Sequence, residues 1–320
     1  MDAVTRAVRV VSKVMEARDI CSFELTAIDG DTLPSFSAGA HIDVHLPAGL
    51  TRQYSLCNNP TETHRYQIAV LRDTNSRGGS VAMHALEVGQ TIRVSDPKNH
   101  FPLVNDAHHS VLLAGGIGIT PLLCMAERLA SLGSSFELHY CTRSAERTAF
   151  SERIRASPFT GYVQVHYDDG PPSQKLDLIA VLERTRSQAH LYVCGPTGFM
   201  DWSLGIARAT GWPEGRLHRE YFAAAPIDTS ADGSFDVEIA STGKVIRVGG
   251  DQTVVTALSA HGVSVPTSCE QGVCGACLIR VLEGTPEHRD MFLTVEEQAL
   301  GDQFTPCCSR SRSPKLVLDL

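Results

Sequence analysis

Cys269-Glu270-Gln271-Gly272-Val273-Cys274-Gly275-Ala276-Cys277 is the stretch that decides how the C-terminal part of this 320-residue chain must fold. Four residues separate the first two thiols, two separate the next pair, and Cys307 follows after a further 29. This is the plant-type [2Fe–2S] spacing. One tight loop presents three thiolates and a distant segment supplies the last, so the site forms only when the segment folds around it. Gly272 and Gly275 can turn through left-handed backbone that would strain another residue. The loop N–H groups are then free to hydrogen-bond the sulfurs and tune the potential. Zinc is the rival, but structural zinc sites pair C-x2-C with a second such pair or with histidines, and none follows here. Such a cluster moves single electrons.

Working outward, the length suits two or three domains. Apolar residues make up 42% and charged residues 20%, within the range of globular proteins. No apolar run reaches the ~18 residues of a membrane span. The first residues alternate like a strand and lack a cleavable signal pattern, so no membrane association and a cytoplasmic protein are expected. The net charge of −8 argues against nucleic acid as a partner. Cys21, Cys57, Cys124, Cys141 and Cys194 are dispersed, as expected for buried thiols in a reducing compartment.

Three kinds of patterning divide the chain. Residues 1–107 read as short strands between turns (7–14, 20–27, 40–46, 66–70) with one helical stretch at 80–86, the pattern of a small antiparallel barrel. Residues 108–222 alternate strands (110–114, 136–141, 163–167, 191–194) with helical stretches, the pattern of a doubly wound parallel sheet. Residues 223–233 are small, polar and proline-bearing, as in a linker. Residues 234–320 hold a hairpin, a short helix and the cysteine loop. With 11 acidic and 7 basic residues this last segment stands at −4, a candidate face for steering a basic partner.

Two glycine-rich stretches carry further chemistry. Gly115-Gly116-Ile117-Gly118-Ile119-Thr120-Pro121 lies between an apolar strand and a helix, where backbone can approach a pyrophosphate. Gly78-Gly79-Ser80, behind Arg72, opens the helix of the first segment and is a second phosphate cradle. Arg52-Gln53-Tyr54-Ser55, expected to follow a barrel strand, offers a cation, an aromatic cover and a hydroxyl suited to a flavin. His41, Asp43 and His45 share a strand face and are expected to form the solvated outside of the barrel, with Ile42, Val44 and Leu46 inward. No H-E-x-x-H, no G-x-S-x-G and no paired Cys/His runs of a Rieske centre occur.

The order R-x-Y-S, G-G-S, G-G-I-G-I-T-P, C-G-P, E-x-F and C-x4-C-x2-C resembles the phthalate dioxygenase reductase family over essentially the whole chain. The resemblance implies a flavin barrel, a pyridine-nucleotide domain and a β-grasp ferredoxin domain, in that order. It implies an NADH-dependent reductase that passes electrons through FMN and a [2Fe–2S] cluster to a separate Rieske-type oxygenase component. It places Arg52, Tyr54, Ser55, Arg72, Gly78, Gly79 and Ser80 at FMN. Gly115, Gly116, Thr120 and Pro121 fall to the nicotinamide nucleotide. Cys194, Gly195 and Pro196 close the hydride site, and Phe222 lies near the flavin with Glu220 beside it. Ser55, Thr120 and Cys194 are the expected catalytic positions. The metal ligands are Cys269, Cys274, Cys277 and Cys307, with Cys308 as filler because C-C-S-R resembles the C-[V/I]-S-R ending of such domains. Two alternatives remain open at this point: an FAD- and NADPH-using reductase, with Arg143-Ser144 on a 2′-phosphate, or a ferredoxin-type carrier with inactive flavin domains.

Overall fold

A computed structural model describes residues 5–104, 106–185, 188–222 and 227–320. Residues 223–226 of the expected linker lie outside them. Two compact units divide the chain, Met1–Glu220 and Tyr221–Leu320.

In the first unit, β1 (Thr5–Ala17), β2 (Ile20–Ala27), β3 (His41–His45), β4 (Thr51–Ser55), β5 (Tyr66–Leu71) and β6 (Thr91–Ser95) form an antiparallel sheet of order β4-β3-β6-β1-β2-β5. An antiparallel bridge from Leu56 to Ile68 joins its two ends, closing the barrel. Alternation fills the inside: Val8, Val10, Phe23, Leu25, Ile42, Val44, Ile68 and Val94 are buried in one cluster. Helix α1 (Gly79–Ala85) plugs the barrel with Met83. Arg52-Gln53-Tyr54-Ser55 does not follow a strand but is one, β4, paired residue for residue with β3.

The face of β3 expected to be solvated is also different. His41 and Asp43 are buried, because Lys98 and Gln53 close over the Asp43 carboxylate at 2.7 and 3.0 Å and the His41 ring packs on His100. Burial holds the His41 imidazole down at about 4, so it is neutral.

The parallel sheet comprises β7 (His109–Gly115), β8 (Phe136–Thr142), β9 (Val163–Tyr167), β10 (Ala189–Cys194) and β11 (Leu217–Glu220), in the order β11-β10-β7-β8-β9. Helices α2 (Ile119–Ser131), α3 (Ser151–Ala156), α4 (Leu178–Thr185) and α5 (Thr197–Ala209) intervene. Barrel and sheet share a core: Ile20, Ala38, Cys57, Ala69 and Phe101 pack with Leu112, Leu123, Met125 and Tyr192. Arg153 fastens the seam, donating to Cys57 O at 2.8 Å, Gln67 Oε1 at 2.7 Å and Glu127 at 2.6 Å.

The second unit has β12 (Phe235–Ile239), β13 (Lys244–Val248), β14 (Ile279–Glu283), β15 (Pro286–Glu287), β16 (Gln303–Phe304), β17 (Arg310–Ser311) and β18 (Lys315–Leu318). Five strands make a mixed sheet, β13-β12-β18-β14-β16, and β15 pairs with β17. Helix α6 (Val254–Ala260) buries Val254, Ala257 and Leu258 against it, and α7 (Val295–Leu300) starts from a capping box of Thr294 and Glu297. Among the described residues no helix is long and apolar enough to cross a membrane.

Candidate functional site

Strand β4 carries Arg52 to the start of α1. The Arg52 side chain runs over Gly79, where a Cβ would stand 2.6 Å from its Cγ, and its guanidinium donates to the carbonyls of Thr51 and Arg77 at 2.8 and 3.2 Å. Gly78 enters the helix in left-handed backbone. The Ser80 hydroxyl bonds Ser76 Oγ at 2.9 Å and accepts the Asp73 N–H at 3.1 Å. Two motifs 25 residues apart thus form one cationic cradle beside the half-buried Tyr54, whose phenol burial raises well above its usual range. The cradle fits a flavin phosphate: a guanidinium beside the first turn of a helix. Arg72 is exposed and is tied to Asp19 O through its backbone N–H at 2.7 Å.

At the C-terminal edge of the parallel sheet, Cys194 on β10 is the register partner of Glu220 on β11. The buried Ser55 hydroxyl reaches from the barrel to donate to Glu220 Oε2 at 3.0 Å. Burial lifts the Glu220 carboxyl from 4.5 to about 7, and the Ser55 hydrogen bond opposes part of that rise. Burial, with Glu220 second, pushes the Cys194 thiol far up, so it is a neutral S–H. The structure therefore brings Ser55, Cys194 and Glu220 together, while Thr120 spends its hydroxyl on Ile117 O at 3.1 Å inside the first turn of α2.

The glycine loop owes its composition to close approach. A Cβ on Gly118 would lie 2.1 Å from Cys194 O, and one on Gly195 3.0 Å from the Gly115 Cα. Only with glycine at these positions can the loops after β7 and β10 meet and leave backbone facing a dinucleotide at the switch point of the sheet. Gly116 is left-handed, Pro121 is buried in α2, and Pro196 caps α5. Phe222, just past β11, is 39% exposed.

In the second unit Gly272 and Gly275 take φ of 74° and 66°, bending the cysteine loop back on itself. The thiols stand in pairs. Cys274 donates to the Cys269 sulfur, pulling Cys269 down to about 6 and pushing Cys274 up. Cys307 donates to Cys277, lowering it. Among the described residues no three His, Cys, Asp or Glu side chains gather around a single ion. Two pairs of thiols are instead the division that a two-iron core requires. The Gln271 and Ala276 N–H groups point at Cys269 and Cys274 sulfur at 3.3 and 3.5 Å. Cys308 also meets the Cys307 thiol, and its sulfur lies against Thr305 Oγ1 at 3.3 Å and behind Gly272.

Sequence reading missed the supports. Phe199 lays its ring on Gly115 and Gly195, with 2.7 and 2.9 Å to a Cβ at either. Met291 N–H donates to Gly272 O at 3.0 Å, and the Phe292 ring covers Gly275. Asp290 fixes that segment by accepting the Phe292 and Leu293 N–H groups at 3.2 and 2.8 Å. Asp232 is clamped by Arg289 at 2.6 and 2.8 Å, with Arg310 at 3.4 Å. Phe199 on Gly115, Phe292 on Gly275 and Asp232 with Arg289 and Arg310 act across long sequence separations, which no spacing rule marks.

A flavin-type barrel, a parallel nucleotide sheet and a thiolate loop define an iron–sulfur electron-transfer reductase. Residues 237–312 match the 2Fe-2S iron-sulfur cluster binding domain. The chain is 59% identical to vanillate O-demethylase oxidoreductase of Pseudomonas putida over 97% of its own length and 98% of that protein. It is 41% identical to phthalate dioxygenase reductase of Burkholderia cepacia, covering 98% and 96% of the two chains. A solved structure of phthalate dioxygenase reductase, described as modular for electron transfer from pyridine nucleotides to [2Fe–2S], superimposes with a TM-score of 0.77 at 40% identity, covering 99% and 98%. The chain belongs to the phthalate dioxygenase reductase family.

Proposed function

We propose that this chain oxidises NADH through FMN and sends the electrons singly through its [2Fe–2S] cluster to a separate Rieske-type oxygenase. The oxygenase would be of the aryl-demethylating kind that vanillate O-demethylase oxidoreductases are named for. The observation that carries the reading is the meeting of Ser55 and Glu220, 165 residues apart, beside Cys194. Bound flavin supplies the conversion of a two-electron hydride donor into single electrons.

The chain's own residues have the following roles in this reading. Arg52, Gly78, Gly79 and Ser80 hold the flavin phosphate, with Arg72 at the cradle's edge and Tyr54 against the ring. Gly115, Gly116, Thr120, Pro121, Gly195 and Pro196 shape the nucleotide edge through their backbone. Ser55 and Glu220 hold a proton at the hydroxyl–carboxyl pair, and neutral Cys194 keeps the site free of a competing thiolate. Phe222 supplies exposed aromatic surface for the flavin. Cys269, Cys274, Cys277 and Cys307 would hold the cluster and let it take up and pass on one electron at a time. Residues 1–107, 108–222 and 234–320 serve as flavin, nucleotide and ferredoxin domains, with 223–233 as linker. A cytoplasmic location is supported by Cys21, Cys57, Cys124, Cys141 and Cys194, which stand as free thiols outside the cluster loop.

Anaerobic titration followed by flavin extraction tests the reading. The protein is expected to be yellow-brown, to bleach with NADH and to release FMN. Recovery of FAD would overturn the flavin assignment. A colourless protein bearing only a cluster would replace the reductase with a carrier.

A further inference from the structure

The covered outer face of β3 runs directly up to the Ser55–Glu220 pair. His41 is the register partner of Ser55 across β3 and β4, as Asp43 is of Gln53. Partners in an antiparallel pair carry their side chains on one face, with Cβ atoms about 5 Å apart. On its other side His41 exchanges both backbone hydrogen bonds with Lys98, at 2.8 and 2.9 Å. Two residues further on, the His100 ring lies 5.5 Å from the His41 ring at a tilt of 35°. The order across this face is Glu220, Ser55, His41, His100. Ser55 and His41 are buried, and His100 is exposed.

The segment that carries His100 is held in place. Asn99 donates to Ser37 Oγ and Ala38 O at 2.7 and 2.9 Å, and Lys98 reaches the Asp43 carboxylate at 2.7 Å. His41 is only 4% exposed, yet its Nε2 has no protein partner. A ring nitrogen buried in this way is ordinarily satisfied by an ordered water. The titratable and charged groups around it are Asp43 on its own strand, Lys98 and His100 above it, and Glu220 behind Ser55. Burial, opposed by Asp43 and helped by His100 and Lys98, keeps the imidazole neutral above about pH 4. A neutral ring has one N–H to give and one bare nitrogen to accept.

The proposed reaction has a proton to dispose of. Each NADH surrenders two electrons and one proton as a hydride, and an iron–sulfur cluster carries electrons only. NADH and two oxidised one-electron acceptors therefore become NAD+, two reduced acceptors and one H+. We propose that His41 carries this proton from the Ser55–Glu220 pair to His100 and the solvent. The Ser55 hydroxyl turns to accept the Glu220 proton and gives its own, through a bridging water, to His41 Nε2. The ring releases the hydrogen on Nδ1 toward His100, and Glu220 is left ionised for the proton of the next NADH. Glu220 holds a proton more tightly than His41, about 7 against about 4, so His41 transmits the proton and does not store it. This rests on the reading that flavin and nicotinamide react beside Ser55.

The test compares the whole holoprotein with its H41N and H100N variants in anaerobic stopped flow, with a one-electron acceptor and a pH-indicating dye. The wild type should release one proton per NADH in step with the electrons. H41N should slow proton release by roughly tenfold or more, far more than it slows bleaching by NADH, and free imidazole should restore the rate. H100N changes an exposed side chain and should show a smaller delay with the same rescue. Nitrogen-15 NMR of the wild type at pH 7 should find His41 neutral, with its hydrogen on Nδ1. Proton release that keeps pace with the electrons in H41N overturns the inference. So does a defect that falls equally on bleaching and does not respond to imidazole, or a His41 imidazolium at pH 7. If H41N does not fold, an undelayed H100N or a hydrogen on His41 Nε2 overturns it. Failure of NADH to bleach the wild-type flavin overturns the functional reading, and this inference with it.

Discussion

Glu220→Gln removes a carboxyl that the fold lifts far above the usual carboxylate range. Burial lifts Glu220 from 4.5 to about 7, and at about 1.4 kcal/mol per pH unit that gap corresponds to about 3 kcal/mol. The folded protein binds this proton more tightly than the unfolded chain. The stability it contributes is therefore whole below pH 4.5 and is lost as the pH rises through about 7. Glutamine keeps an oxygen to accept the Ser55 hydroxyl and carries no charge, so the variant should show none of this slope. Two measurements follow. An infrared carbonyl band of a protonated carboxyl should be present at pH 6, titrate with a midpoint near 7 and be missing in the variant. The unfolding midpoint of the variant should gain on that of the wild type between pH 5 and pH 8. Ser55→Ala should move the infrared midpoint further up, because the hydroxyl steadies the carboxylate. A carboxylate already ionised at pH 6, or a constant gap between the unfolding midpoints, would refute the reasoning.

Three other expectations are more local. Cys307→Ser should lose the iron–sulfur absorbance and electron paramagnetic resonance signal while Cys308→Val keeps both, since Cys307 is the thiol that meets Cys277. Gly118→Ala should cost about 1–3 kcal/mol and weaken NADH binding, because its Cβ would stand 2.1 Å from Cys194 O, a backbone atom that cannot swing away; thermal melts and titrations check this. Asp232→Asn should remove the carboxylate that Arg289 and Arg310 share, leaving Arg289 with Glu287 at 2.8 Å, a loss of about 1 kcal/mol. The readout is earlier loss of cluster absorbance on heating, with flavin reduction by NADH kept.

Much of the fold was legible because its signals are short-range. Ile20–Ala27 and Val163–Tyr167 stand in the structure with the ends that apolar alternation and turn residues marked. β6 escaped, since Thr91–Ser95 has only Ile92 and Val94 as inward positions. The outer face of β3 was misread for a different reason. Polarity alone says solvent, but Lys98 and His100 come from beyond β6 to cover it.

Spacing within the chain was enough to specify the chemistry of the thiolate loop, because three ligands on nine residues are constrained by local geometry. The glycine loops likewise announced themselves, since only glycine tolerates such close backbone approach. What required the folded molecule was every relation across long separations. Ser55 with Glu220, Phe292 over Gly275 and the meeting of Cys307 with Cys277 are each set by the tertiary fold. A charge or hydroxyl acts on what stands beside it, and the neighbour across a sheet edge is chosen by topology, which no local pattern encodes.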